Sequence, residues 1–255
     1  MRGSPILMYH GVGPPPPRVA DEGHYNVDRA ELEQQLDVLA SRRVISLEAM
    51  LGGEAGVVLT FDDGERSVLL EAAPLLSARR LPAVLYVTSG LLGMPGYLAP
   101  EEVAKAAAAG LTIGAHGHTH RFLSDLPDAE LDDELERSRQ TLGKLVGAPV
   151  VHMSLPGGRG DTRVAAAARR AGFRTVATSR AGLASIRQNA YDIPRMPVNR
   201  GLSPAGFASL CDGRLAVYAP AIVKERALWA AKRALGNDRY VALRGAARRL
   251  LGRRS

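Results

Sequence analysis

The sequence predicts an α/β fold, a distorted (β/α) barrel with seven or eight parallel strands. Short apolar runs alternate with stretches of helical period along most of the chain, a pattern in which consecutive strands lie parallel and cross over right-handed. Every cluster of chemically suggestive side chains falls just after an apolar run, where parallel barrels gather their active sites. A length of 255 residues suits one large domain of this kind.

In chain order, residues 5–10 form the first strand and end in Tyr9-His10. Four prolines at 14–17 and a polar stretch to Asn26 make a surface loop. Asp28 opens a helix on which Leu32, Leu36 and Leu39 recur at helical spacing, and residues 44–47 read as a short strand. Residues 57–61 are a buried strand, 66–79 a helix, and 83–88 a strand closed by Ser89-Gly90. A helix over 100–109, capped by Gly110, leads into the strand 111–115. The long charged helix 128–146 carries Leu131, Leu135, Leu142 and Leu145 on its buried side. The strand at 150–155 breaks at Pro156-Gly157-Gly158, 162–171 is helical, and 174–178 and 192–198 supply the last strands. No repeat or low-complexity linker interrupts this order.

Two stretches concentrate the chemistry. The uncharged run 57–61 stops at two adjacent carboxylates, Asp62 and Asp63, followed by Gly64. Strand side chains alternate between faces and a turn at glycine re-aims them, so one Asp can bind a cation while its neighbour takes a proton. Asp-Asp-Gly also favours a turn for its own sake. The second stretch, 111–120, runs from an apolar strand into His116, His118 and His120. On a helical turn, positions 116 and 120 put both imidazoles on one face, within reach of one ion. One carboxylate and two imidazoles leave coordination positions open for water and substrate, as hydrolytic metal sites require.

Thr60-Phe61-Asp62-Asp63-Gly64 followed by His116-x-x-x-His120 resembles the first two motifs of the polysaccharide deacetylases, the carbohydrate esterases with a NodB-homology domain. The opening Ile6-Leu7-Met8-Tyr9-His10-Gly11-Val12 is similar to the start of the subgroup that deacetylates exopolysaccharides. The resemblance covers about residues 5–200 and implies the same barrel, with Asp62 as catalytic base, Asp63, His116 and His120 as metal ligands, and zinc or another divalent transition ion as cofactor. Such an ion polarises the acetyl carbonyl and lowers the pKa of a bound water.

Three departures from the family pattern stand out. The late Leu-x-Ile-His motif that supplies the acid for the leaving amine is absent, and His10 at the end of the first strand is the candidate replacement. Its alternative is a strand-end histidine bonded to backbone. Ser154-Leu155-Pro156-Gly157-Gly158 is similar to the third motif but has serine in place of arginine; Arg195 is the candidate substitute, or else a solvated strand-end charge. Pro156, Gly158 and Arg195 are the expected substrate-contacting positions. The fourth motif's Asp and Trp are also missing. His118 reads as a surface or supporting group, and His24 and His152 as incidental.

The single cysteine, Cys211, excludes an internal disulfide, and the net charge of +7 is unevenly held. Residues 224–255 carry ten Lys or Arg against Glu225 and Asp238. The domain organisation expected is a deacetylase-like barrel over 1–223 and a basic amphipathic helical tail over 224–255, with helices at 224–235 and 240–251 suited to an anionic membrane surface, a protein partner or an acidic glycan. Sparse aromatics, Trp229 and Tyr240, argue against nucleic acid. With no signal-like or membrane-spanning run, the expectation is a cytoplasmic protein, peripheral at most. The activity expected is metal-dependent N-deacetylation of a polysaccharide or glycan precursor of exopolysaccharide or the cell envelope. O-acetyl esterase action, small-amide hydrolysis and non-catalytic glycan binding are the alternatives.

Overall fold

The computed structural model describes residues 3–17, 24–185 and 189–223. Seven strands form one parallel sheet in the order β6-β5-β4-β3-β2-β1-β7, curled into a distorted barrel. They are β1 (Ile6–Tyr9), β2 (Val58–Phe61), β3 (Ala83–Val87), β4 (Leu111–Ala115), β5 (His152–Ser154), β6 (Thr175–Ala177) and β7 (Met196–Pro197). The last segment meets both edges of the sheet: Ile193 bridges Ala177 beside β6, while Met196 and Pro197 pair with Leu7 and Met8 of β1.

Alternation along the strands sorts side chains into two layers. Leu7, Tyr9, Leu59, Phe61, Leu85, Val87, Ile113 and Met153 join the main core under the helices. Ile6, Val58, Val84, Tyr86 and Ala177 fill the barrel interior with Ile45, Leu47 and Met50. Gly114 belongs to the inner row because a Cβ there would come within 2.4 Å of the Tyr86 ring.

The outer layer is α1 (Arg29–Leu39), α2 (Leu47–Leu51), α3 (Ala73–Ala78), α4 (Pro100–Ala108), α5 (Asp128–Val146), α6 (Thr162–Arg170) and α7 (Pro204–Cys211). Helix α5 has the expected bounds, buries Leu131, Leu135 and Leu142, and ends at Gly147 in the left-handed region, φ 69°. No described helix is long and apolar enough to cross a membrane.

Three expectations for elements need correction, and a fourth is met with an irregularity. Residues 44–47 are not a strand: Val44 alone bridges Val57, and Ser46 accepts from the Ala49 N–H to cap α2. The helix expected over 66–79 is present over residues 66–78, with a π-turn over Val68–Ala72 inside it, where Pro74 lacks the N–H of a regular ladder. The strand expected over 192–198 shrinks to two residues between Pro194 and Val198, since two prolines remove ladder donors. Residues 116–120 are a bent loop and not a helical turn. The basic tail, with its two expected helices, lies outside the described residues.

Candidate metal centre and its carboxylate

The inner rows run straight into the site. Ile6, Met8 and His10 continue one row; Val58, Thr60 and Asp62 a second; Thr112, Gly114 and His116 a third; His152 and Ser154 a fourth. The period of two therefore delivers His10, Asp62, His116 and Ser154 to the carboxyl-end mouth of the barrel.

Asp63 breaks the rule, and its backbone shows how. Strict alternation would aim it outward under the helices, but Asp63 has φ 71° and Gly64 φ 82°, a left-handed turn that swings its carboxylate back over the mouth. Asp63 Oδ1 lies 3.2 Å from His116 Nε2 and 3.2 Å from His120 Nε2. The three donor atoms all lie within 4.8 Å of one another.

The histidine loop is bent by Gly117 at φ 72° and His120 at φ 65°. Glu134, buried on α5, fixes that bend: its carboxylate accepts from the His118 N–H at 2.7 Å, the Thr119 N–H at 2.9 Å and the Thr119 hydroxyl. Beneath the loop, Pro156 sits 3.4 Å from where a Cβ on Gly117 would project. His118 turns away and its Nδ1 meets Ser89 Oγ at 2.8 Å.

Protonation follows from the neighbours. His116 Nδ1 faces Ser154 Oγ at 2.5 Å and the Ser154 carbonyl at 3.2 Å; a carbonyl can only accept, so Nδ1 carries the proton and Nε2 offers a lone pair. Asp63 Oδ1 is buried and accepts no hydrogen bond. A buried anionic oxygen 3.2 Å from a nitrogen of each of two imidazoles suits a positive charge between them, and one carboxylate with two imidazoles suits a divalent transition ion. The residues present fit such an ion.

Asp62 stands beside this cluster with its oxygens engaged elsewhere. Arg195 donates from both terminal nitrogens, 2.7 Å to each Asp62 oxygen, and from Nε to the Thr178 carbonyl at 3.0 Å. The Ser154 hydroxyl donates to Asp62 Oδ1 at 3.2 Å, so Ser154 links the base candidate to His116. Burial pushes the Asp62 carboxyl up, but the Arg195 guanidinium, with His116 and His10 nearby, outweighs it and holds the group below its ordinary value.

Arg195 is 0% exposed, so it orients Asp62 from within the barrel and does not line a substrate surface. Pro156 is likewise buried, supporting the histidine loop, whereas Gly158 is partly exposed with no room for a side chain: a Cβ would lie 2.2 Å from Ser179 Oγ. His10 stacks on Tyr25, ring centroids 4.8 Å apart, and its buried Nδ1 has no hydrogen-bond partner. His152 lies at the opposite end of its strand, bonded to Glu48 and Thr175.

Sequence reasoning missed Glu134, Ser154's linking role and Glu65. The signal for Glu134 was present, an acidic residue inside the buried stripe of α5 between Leu131 and Leu135. Glu65 is buried beside Gly11, and its Oε2 accepts from Asn26 Nδ2 at 2.8 Å. Burial pushes its carboxyl up to about 7, helped by Asp63 and opposed by Asn26 and Ser67.

The polysaccharide deacetylase family model matches residues 52–176, the span from α2 to β6 that includes both aspartates and both histidines. YxkH of Bacillus subtilis strain 168, which bears a polysaccharide deacetylase name, is 26% identical over 215 residues, 80% of this chain and 75% of that protein. The deacetylase PplD of Streptococcus pyogenes, solved with acetate, superposes with a TM-score of 0.74 at 22% identity, covering 82% of this chain and 98% of the other. IcaB from Ammonifex degensii superposes with a TM-score of 0.70 at 24% identity, covering 83% and 97%. These two structures share the fold.

Proposed function

We propose, from the match of the polysaccharide deacetylase family model to residues 52–176, that this chain is a divalent-metal-dependent hydrolase releasing acetate from N-acetylated sugars of a glycan. One observation carries the reading: Asp63, His116 and His120 present donor atoms within 4.8 Å of one another, while the neighbouring Asp62 faces Arg195 instead. Zinc is the ion the donor set favours, and an exopolysaccharide or cell-envelope glycan is the substrate class.

An ion held by Asp63, His116 and His120 supplies Lewis acidity to the acetyl carbonyl and lowers the pKa of a nearby water. Asp62, kept ionised by Arg195, accepts the proton of the attacking water as oxygen bonds to the acetyl carbon. Arg195 and Ser154 fix the carboxylate in one orientation, which limits the entropy lost on reaching the transition state. As the C–N bond breaks, His10, seated on Tyr25, donates a proton to the leaving amine, and acetate departs.

Acetate release from chitooligosaccharides, measured with the purified chain before and after chelation, tests this reading. The wild type releases acetate, chelation abolishes it, and Asp62→Asn lowers turnover by about 10²–10⁴-fold with bound metal retained. Release from acetylated xylan alone would shift the reading to an ester substrate. Metal binding without acetate from either would overturn it.

A further inference from the structure

Beyond the reaction centre, Arg159 meets no carboxylate among the described residues. Arg159 follows the Pro156-Gly157-Gly158 turn, and its guanidinium carbon sits 4.3 Å above the centre of the Phe122 ring. The neighbouring arginines are each neutralised: Arg121 by Glu130 at 2.6 Å and Arg163 by Asp128 at 2.8 Å. Among the described residues, Arg159 meets the Phe122 ring and no carboxylate.

Phe122 is an aromatic side chain left 38% exposed, and its placement is explained by what it carries. A Cβ on Gly157 would lie 2.4 Å from the ring edge, so the ring is seated on the bare backbone of that turn at φ 62°. The Arg159 guanidinium stacks on the same ring. An arginine stacked on a fixed ring keeps its planar fork oriented and forfeits less freedom when it pairs with an anion. Phe122 also walls a cavity of about 300 Å³ that reaches His120, a size at the low end for small-molecule sites.

We propose that Arg159, held over Phe122, is a subsite for an oxyanion carried by the glycan, a carboxylate or a phosphate. The site then selects acidic glycans, with one sugar in the cavity beside His120 and its anionic group reaching over Phe122. Asp125 also lines that cavity, and its carboxylate repels an anion seated beside it. This inference rests on the deacetylase reading for its substrate class.

Binding of non-acetylated oligosaccharides by calorimetry tests it without any turnover, using uronate-bearing, phosphate-bearing and neutral chains of equal length at low and high salt. The wild type prefers one anionic ligand by about 5–10-fold, a preference that salt weakens. Arg159→Ala brings the ratio close to unity. Phe122→Leu, which keeps the charge and removes the stacking face, lowers it partway. A wild type without preference, or a preference that survives Arg159→Ala, overturns the subsite. The anion preferred identifies the substituent. Absence of acetate from every acetylated substrate, with the anion preference intact, would instead sink the hydrolase reading and leave the subsite standing.

Discussion

Arg195 and Asp62 each bring a full charge into the barrel interior, 0% and 2% exposed, and neither would be tolerated there alone. Their two parallel 2.7 Å hydrogen bonds make a bidentate pair of the stronger kind, with the guanidinium also 5.4 Å from the Tyr86 ring centre. Removing one partner of such a pair leaves an uncompensated buried charge, so Arg195→Ala is expected to cost about 3–5 kcal/mol in denaturant unfolding. It also removes the strongest influence lowering the Asp62 carboxyl. Burial then dominates, the carboxyl rises, and the acidic limb of the turnover profile moves to higher pH. A profile unchanged in position would show that Asp62 is not the group titrating there. Ser154 and Arg195 both donate to Asp62 Oδ1, which ties the serine into the same network.

At the scale of elements, helix α5 does more than cover the sheet. Its Glu134 holds three groups of the histidine loop, joining the helix stripe to the placement of His116 and His120. Glu134→Gln keeps the shape but exchanges a charged acceptor for a neutral amide, and metal affinity is expected to fall about 10–100-fold, read by competition with a chromogenic chelator. Equal affinity would mean that the loop holds its bend without the carboxylate. This element also shows what was legible beforehand. The α5 boundaries followed from leucine spacing and the site's position from apolar runs ending in Asp or His, because both patterns are local. The bent histidine loop was not legible: four-residue spacing fits a helical turn equally well, and only Gly117 and His120 at positive φ distinguish the two. Arg195's destination was equally hidden, since it pairs with a residue 133 positions away. Nothing local separates that from a solvated strand end. Residues 44–47 and 192–198 misled for a third reason, a cap at Ser46 and prolines at 194 and 197 overriding β-forming side chains.

For the whole molecule, the two ends of the barrel have different chemistry. The carboxyl end holds Asp63, His116 and His120. The amino end is stoppered by α2, whose Leu47 and Met50 pack on Ile6, Val58 and Tyr86 and whose Glu48 reaches His152 Nε2 at 2.9 Å. His152 is 2% exposed; burial pushes its pKa down from 6.5, outweighing the pull of Glu48. Its folded pKa is therefore the lower one, and below the ordinary value the unfolded chain takes up the proton first. The stability contribution is full above 6.5 and is lost as pH falls through the folded value. Melting temperature is thus expected to drop as pH is lowered from about 8 to about 5, and to drop less steeply in His152→Gln. Identical slopes would remove His152 from the acid limb of stability.

The proposed centre has three side chains from the β2 and β4 ends holding one ion while Asp62 stays free of it. Metal content per folded chain after dialysis against zinc, measured for the wild type, Asp63→Ala, His116→Ala, His120→Ala and Asp62→Asn, tests it most directly. About one ion is expected in the wild type and in Asp62→Asn, and a loss of that ion in each of the other three. Full occupancy without Asp63, His116 or His120, or a loss confined to Asp62→Asn, would contradict it.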